Sequence, residues 1–280
     1  VCFSYDGVNQ ILDDISFSVK KGETIAFVGH TGSGKSSIIN VLMRFYEFQS
    51  GRVLIDNVDI RNYSHQELRK NMGLVLQEPF LYHGTIKSNI AMYQEISDEE
   101  VKAAAEFVDA DAFIQELPQG YNSPVSERGS SFSTGQRQLL AFARTVASQP
   151  KILILDEPTA VLTTQETTEL FKELKHLKEQ GYTLIFISHK LNEIMEITDR
   201  LSILRGGKFM GVYETKDVTP EKILRLMVGR DVVLQVQKDA AKPTEEILRV
   251  RDLHYVNDWG KKMLNGVSLS VRKGEILGIA

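Results

Sequence analysis

Runs of consecutive apolar residues recur along the chain, at Thr24-Ile25-Ala26-Phe27-Val28, Met72-Gly73-Leu74-Val75-Leu76, Ile152-Leu153-Ile154-Leu155 and Thr183-Leu184-Ile185-Phe186-Ile187. Short apolar runs with polar ends fit strands buried on both faces, as in a parallel sheet. Between them the spacing turns helical. Ser37-Ile38-Ile39-Asn40-Val41-Leu42-Met43 comes after the first run, and residues from about 86 to 147 carry helical patterns. Within that region Ser97 and Glu100 form a capping box ahead of Val101, Ala104, Ala105 and Val108. A loop rich in Gly, Ser and Pro spans 117–132, and Leu139, Leu140, Phe142, Ala143 and Val146 stripe a second helix. Thr163 and Glu166 cap a third, whose apolar face is Leu170, Phe171, Leu174 and Leu177 and which Gly181 ends.

Elsewhere the period is two. Phe3 and Tyr5 alternate before Asp6-Gly7, and Ile15, Phe17 and Val19 before Lys21-Gly22, which predicts antiparallel hairpins over 1–28. Residues 51–56 predict a further strand. Residues 201–204 and 209–213 predict a hairpin around Gly206-Gly207, and residues 220–228 a short helix. Lys238 to Glu246 is polar with a proline and is expected to be a linker between a domain at 1–237 and a second one at 247–280. Residues 266–280 repeat 14–28 without a gap, so 247–280 reads as the truncated start of a second, similar domain.

The first apolar run opens into Gly29-His30-Thr31-Gly32-Ser33-Gly34-Lys35-Ser36, the pattern G-x-x-x-x-G-K-[ST], with Ser37 next in the chain. Strand, glycine loop and helix make a seat for a nucleoside triphosphate. The glycines let phosphates approach the backbone, Lys35 supplies charge, Ser36 offers a hydroxyl to Mg²⁺, and the helix start adds free N–H groups. Other residues sit where buried strands open into loops, the edge where ligands bind in open α/β sheets. Asp156 and Glu157 end one such strand. The first is placed to hold Mg²⁺ and the second to polarise water. Gln77 and His189 lie just past two others; each could serve the phosphates, the metal or water, or be an ordinary loop or structural residue. Tyr5 could stack on a base or pack within its strand. Ser133-Thr134-Gly135-Gln136 begins the second helix, as a further phosphate seat or as a plain N-cap.

Composition narrows the class. With 42% hydrophobic and 25% charged residues over 280 positions, the chain has the make-up of a soluble globular protein. Cys2 is the sole cysteine, so no disulfide can form within the chain, and a reducing compartment is expected. No run approaches the roughly 20 apolar residues of a membrane-spanning helix, and no stretch has the pattern of a signal peptide. A net charge of −4 gives no footprint for nucleic acid. The sequence starts at Val1 without methionine and stops within an apolar run, so it reads as a fragment.

Taken together, these stretches resemble the nucleotide-binding domain of ABC transporters over about 1–235, and again over 247–280. Tyr5 matches the A-loop aromatic, Gly29 to Ser36 the Walker A, Gln77 the Q-loop and Ser133 to Gln136 the signature. Asp156-Glu157 matches the Walker B with its catalytic glutamate, and His189 the switch histidine. The resemblance implies an α/β fold, a P-loop NTPase with a RecA-like core, an antiparallel β subdomain and an inserted α-helical subdomain. It implies ATP hydrolysis with Lys35, Ser36, Asp156 and Gln77 holding ATP and Mg²⁺, Glu157 activating water and His189 holding the γ-phosphate. It implies head-to-tail pairing with a second nucleotide-binding domain, Ser133, Gly135 and Gln136 serving the opposite nucleotide. Transmembrane subunits would dock near the Q-loop, at the cytoplasmic face of the cell membrane.

The sequence departs from the family pattern in three places. The signature has Thr134 where a glycine is usual. Ala160-Val161-Leu162-Thr163 lacks the customary aspartate, which bears on communication between sites. Up to about Thr159, including Ser126-Glu127-Arg128-Gly129, the chain resembles multidrug or lipid exporters. From Ala160 it resembles the double ATPase of sugar or nucleoside importers. A rival class is a soluble ABC protein acting on ribosome or DNA, which would ordinarily show a basic surface or a long charged helical insertion. A structural, non-hydrolysing ATP binder is disfavoured by the intact Lys35, Asp156, Glu157 and His189.

Overall fold

The computed structural model describes residues 1–92, 94–126, 129–229, 242–256 and 262–278. It divides into two compact units, 1–232 and 233–280. In the first, strands β1 (Phe3–Ser4) and β2 (Gln10–Leu12) pair antiparallel, and β3 (Thr24–Val28) leads to helix α1 (Lys35–Leu42). Then come the hairpin β4 (Leu54–Ile55) and β5 (Val58–Asp59), α2 (His65–Lys70) and β6 (Met72–Val75). The helical region holds α3 (Ile86–Ala91), α4 (Asp98–Phe107), α5 (Asp111–Gln115) and α6 (Thr134–Ala147). It is closed by the short pair β7 (Gly84–Thr85) and β8 (Pro124–Val125). Strand β9 (Ile152–Asp156), α7 (Thr164–Glu179), β10 (Thr183–Ile187), α8 (Leu191–Ile197), β11 (Arg200–Arg205), β12 (Lys208–Glu214) and α9 (Pro220–Val228) complete the unit.

The central sheet has the order β12-β11-β3-β10-β9-β6, parallel except for β12. Strands β3 and β10 are buried at every position, which is why their sequences are unbroken apolar runs rather than alternating ones. Phe27 of β3 and Asp156 of β9 both pair with Ile187 of β10. That register brings the exits of three strands level at one edge. One core joins the helical region and α7 to the sheet through Leu140, Phe142, Phe171 and Phe186. Another joins α1 to β1, β2 and the sheet through Phe3, Leu12, Phe27 and Ile38.

Two strand expectations are corrected. Ile15, Phe17 and Val19 point inward in alternation with exposed Ser16, Ser18 and Lys20, yet residues 15–20 form no strand. Their backbone makes isolated long-range bonds instead of a ladder: Ile15 exchanges hydrogen bonds with Val1 at 2.7 and 2.9 Å, and Arg200 donates to the Ser18 carbonyl at 2.6 Å. The strand expected over 51–56 shrinks to Leu54–Ile55. Asp56 and Asn57 take φ of 50° and 65°, the left-handed pair that makes a tight two-residue hairpin turn.

In the second unit β13 (Glu246–Val256) pairs antiparallel with β14 (Lys262–Arg272). Glu127 and Arg128 of the exporter-like loop, residues 238–241 of the expected linker and the last two residues of the repeat lie outside the described residues.

Candidate active site

Gly34 caps α1 at φ 100°, and a Cβ there would stand 2.7 Å from a methyl of Leu12, so both conformation and space call for glycine. Lys35 is buried and folds back onto its own loop, its Nζ donating to the carbonyls of Gly29 at 2.7 Å and His30 at 3.1 Å. Burial pushes the ammonium's pKa down, and the carboxylates of Glu157 and Asp156 pull it back up. The loop is braced by Ser33, whose N–H donates to the His30 carbonyl and whose carbonyl accepts from Gly207. Its buried hydroxyl has no hydrogen-bond partner among the described residues. Thr31, Gly32 and Ser36 lie at the surface of the loop.

Tyr5 follows β1 directly and packs on its neighbours. Its ring packs edge-on against Phe3 and Tyr46, with centroids 4.7 and 4.9 Å away, and is 47% exposed, which leaves room for a stacked ring. Its hydroxyl is 3.1 Å from Ser37 Oγ and accepts from Asn40 Nδ2 at 2.8 Å, which fixes the ring above α1.

Asp156 ends β9, and its carboxyl pKa is raised by burial first and by the neighbouring Glu157 charge second, with Lys35 opposing. Glu157 sits at φ 49°, in the left-handed region that non-glycine residues rarely adopt. Its N–H donates to the Ile187 carbonyl at 2.8 Å, and its Oε2 lies 2.7 Å from Nδ1 of His189, a side chain that is 63% exposed. The structure therefore unites Lys35, Asp156, Glu157 and His189. Gln77 is exposed, two residues past β6 at the same edge of the sheet.

Ser133 caps α6 in a reciprocal box, accepting from the Gln136 N–H at 3.1 Å while Gln136 Oε1 accepts from the Ser133 N–H at 3.0 Å. Among the described residues no acceptor takes the Ser133 hydroxyl proton. A Cβ at Gly135 would stand 3.0 Å from Glu166 Oε1. Among the described residues no hydrogen bond or ion pair joins 133–136 to Gly29–Ser37, Asp156, Glu157 or His189, so these residues form a separate cluster.

Sequence reasoning missed Asn40, which lies three positions after Ser37 on the same helix face and so was findable by helical register. It also missed buried Glu193, whose carboxylate accepts from the buried hydroxyls of Thr159 and Ser188 at 2.7 to 3.1 Å. Among the described residues no group of three or more His, Cys, Asp or Glu side chains is arranged to hold a metal. No described helix is long and apolar enough to cross a membrane.

The family described as ABC transporter matches residues 12–160. The chain is 74% identical over 212 residues to the ABC transporter ATP-binding protein exp8 of Streptococcus pneumoniae, covering 74% of this chain and 36% of that protein. It is 33% identical to the ribose import ATP-binding protein RbsA of Clostridium tetani over 285 aligned positions, covering 99% of this chain and 54% of that protein. A bacterial Atm1-family ABC exporter solved with ATP bound superposes with a TM-score of 0.74 and 38% identity, over 78% of this chain and 38% of that one. The chain thus spans about a third to a half of the length of these relatives.

Proposed function

Since this chain belongs to the ABC transporter family as one of its ATP-binding, ATP-hydrolysing domains, we propose that residues 1–229 convert ATP hydrolysis into movement of a solute by an exporter-type membrane partner. The observation that carries the hydrolytic part is the Glu157–His189 contact of 2.7 Å at the strand edge next to Lys35. In this reading ATP lies along the Gly29–Ser37 loop with its base on Tyr5. Lys35 leaves the Gly29 and His30 carbonyls for the β- and γ-phosphates, its ammonium exchanging neutral acceptor oxygens for anionic ones.

Ser36, Asp156 and Gln77 offer a hydroxyl, a carboxylate and an amide oxygen, the hard oxygen donors that suit Mg²⁺. Mg²⁺ supplies charge neutralisation across the phosphate oxygens. Glu157 accepts a proton from the attacking water, and His189, hydrogen-bonded to Glu157, orients that carboxylate and donates toward the γ-phosphate. Ser133, Gly135 and Gln136, remote from this cluster in hydrogen-bonding, serve a nucleotide on a second domain in a head-to-tail pair. Such a pair works at the cytoplasmic face of a membrane, on transmembrane subunits.

ATP turnover by the Glu157→Gln chain tests the assignment. Loss of about 100-fold or more in kcat with nucleotide still bound is expected, since a general base contributes at least that much. Turnover at the parental rate defeats it.

The second reading is a double ATPase subunit of a sugar importer. It is favoured by the alignment with the ribose import protein over 99% of the chain, which takes in the second unit. In that reading β13 and β14 open a second ATPase domain. The likeness to the Atm1-family ABC exporter, 38% identical over 78% of this chain, favours the exporter reading for the catalytic unit.

A further inference from the structure

Glu193 stands in the first turn of α8, 8% exposed. A carboxylate out of water is costly unless its lone pairs are met. Here each of its oxygens has partners, with the single Thr159 hydroxyl proton shared between them. Thr159 Oγ1 lies 2.7 Å from both carboxylate oxygens, Ser188 Oγ donates to Oε2 at 3.1 Å, and Lys190 Nζ is 3.0 Å from Oε1. Lys190 also donates to the Thr159 carbonyl at 3.0 Å. Thr159 and Ser188 are 1% and 0% exposed.

The two hydroxyls come from different loops. Thr159 lies two residues after Glu157, and Ser188 immediately before His189. Glu157 holds a left-handed backbone, a strained conformation that persists only where the surroundings over-determine it. The Glu157 N–H bond to Ile187 is one such restraint and the Thr159–Glu193–Ser188 bridge is another, placed on the far side of Pro158.

We propose that Glu193 is a positioning residue for hydrolysis, locking the loop of Glu157 to the loop of His189 so that their contact is held at reacting geometry. It touches neither side chain and acts through Thr159 and Ser188. The inference rests on the assignment of Glu157 and His189 to the hydrolytic step. The hydrogen bonds of Glu193 do not reach the Gly29–Ser37 loop, so ATP binding is independent of it.

The test is steady-state ATP hydrolysis and binding of a fluorescent ATP analogue by the 280-residue chain and its variants. Glu193→Ala is expected to lower kcat about 10- to 100-fold, the range for misplacing a reacting group by about an ångström, with KM and analogue affinity unchanged. Glu193→Gln retains one acceptor oxygen and recovers part of the loss. In a Glu157→Gln background, Glu193→Ala changes the residual rate by less than about twofold, because residues acting as a unit are not additive. Parental kcat in Glu193→Ala overturns the proposal, as does a loss that persists undiminished in the Glu157→Gln background, or one that falls equally on nucleotide affinity. Should Glu193→Ala fail to fold, Thr159→Val carries the test, keeping the side-chain shape and deleting the hydroxyl, and parental kcat there overturns it too. Parental turnover by Glu157→Gln alone defeats the site assignment instead, so the two failures are distinguishable.

Discussion

Two charges in the site are held against their own solvation. Burial raises the Asp156 pKa and lowers that of Lys35. For Asp156 the folded chain binds its proton more firmly than the unfolded chain does. Its contribution to stability is therefore present below the ordinary aspartate range and is lost as pH rises through the raised value. For Lys35 the folded value lies below the unfolded one, so stability is recovered only as pH climbs toward the ordinary lysine range. At neutral pH Asp156 is a net liability to folding, and Asp156→Asn is expected to raise Tm at pH 7.5, by about 2–4 °C for each kcal/mol relieved, with the gain shrinking toward about pH 4, the ordinary aspartate range. Thermal denaturation at the two pH values checks this. A Tm that falls at pH 7.5 contradicts it. The identity of these residues was plain from the sequence, since P-loop spacing and strand ends are local patterns. The Glu193 bridge was not, because burial and partners 5 and 34 positions away leave no periodic trace.

Helix α6 shows how far an element can be read and where reading stops. Its apolar stripe was legible, and Leu140, Phe142 and Ala143 are buried as that stripe requires. Its polar attachments were not. Gln138 donates to the Leu76 carbonyl at 3.2 Å, Thr145 to Leu74 at 3.3 Å, and Arg144 to Phe80 at 2.9 Å and to Asn89 at 2.8 and 2.9 Å, across 55 to 71 positions. These bonds fasten the helix capped by Ser133 to the segments on either side of Gln77. Arg144→Ala is expected to cost about 3 kcal/mol, the scale for losing charged hydrogen bonds inside a protein, seen as a lower urea midpoint with unchanged slope. The alternation over 15–20 misled for a related reason. Alternation reports which side is covered, whereas a strand also needs a partner in register. The same pattern in 266–272 has one in β13 and forms β14, while 15–20 lacks one among the described residues.

Across the whole molecule, the proposed head-to-tail pairing, in which Ser133–Gln136 of one domain serves the Lys35 cluster of another, would make the rate a property of pairs of chains. ATP turnover per chain is expected to rise with protein concentration, about twofold per doubling while monomers dominate, by mass action. A rate per chain that is flat from the lowest measurable concentration contradicts the head-to-tail pairing. The level register of β3, β10 and β9 has a last consequence, for engineering. With the chemistry gathered at the strand exits, the opposite rim is free of it. There the chain turns at Lys21-Gly22, Gln149-Pro150 and Gln180-Gly181, and Gln180 is exposed. Exposed turns of this kind accept inserted domains. The bond between Gln180 and Gly181 is therefore a place to graft a fluorescent reporter or to open new termini by circular permutation while leaving turnover intact.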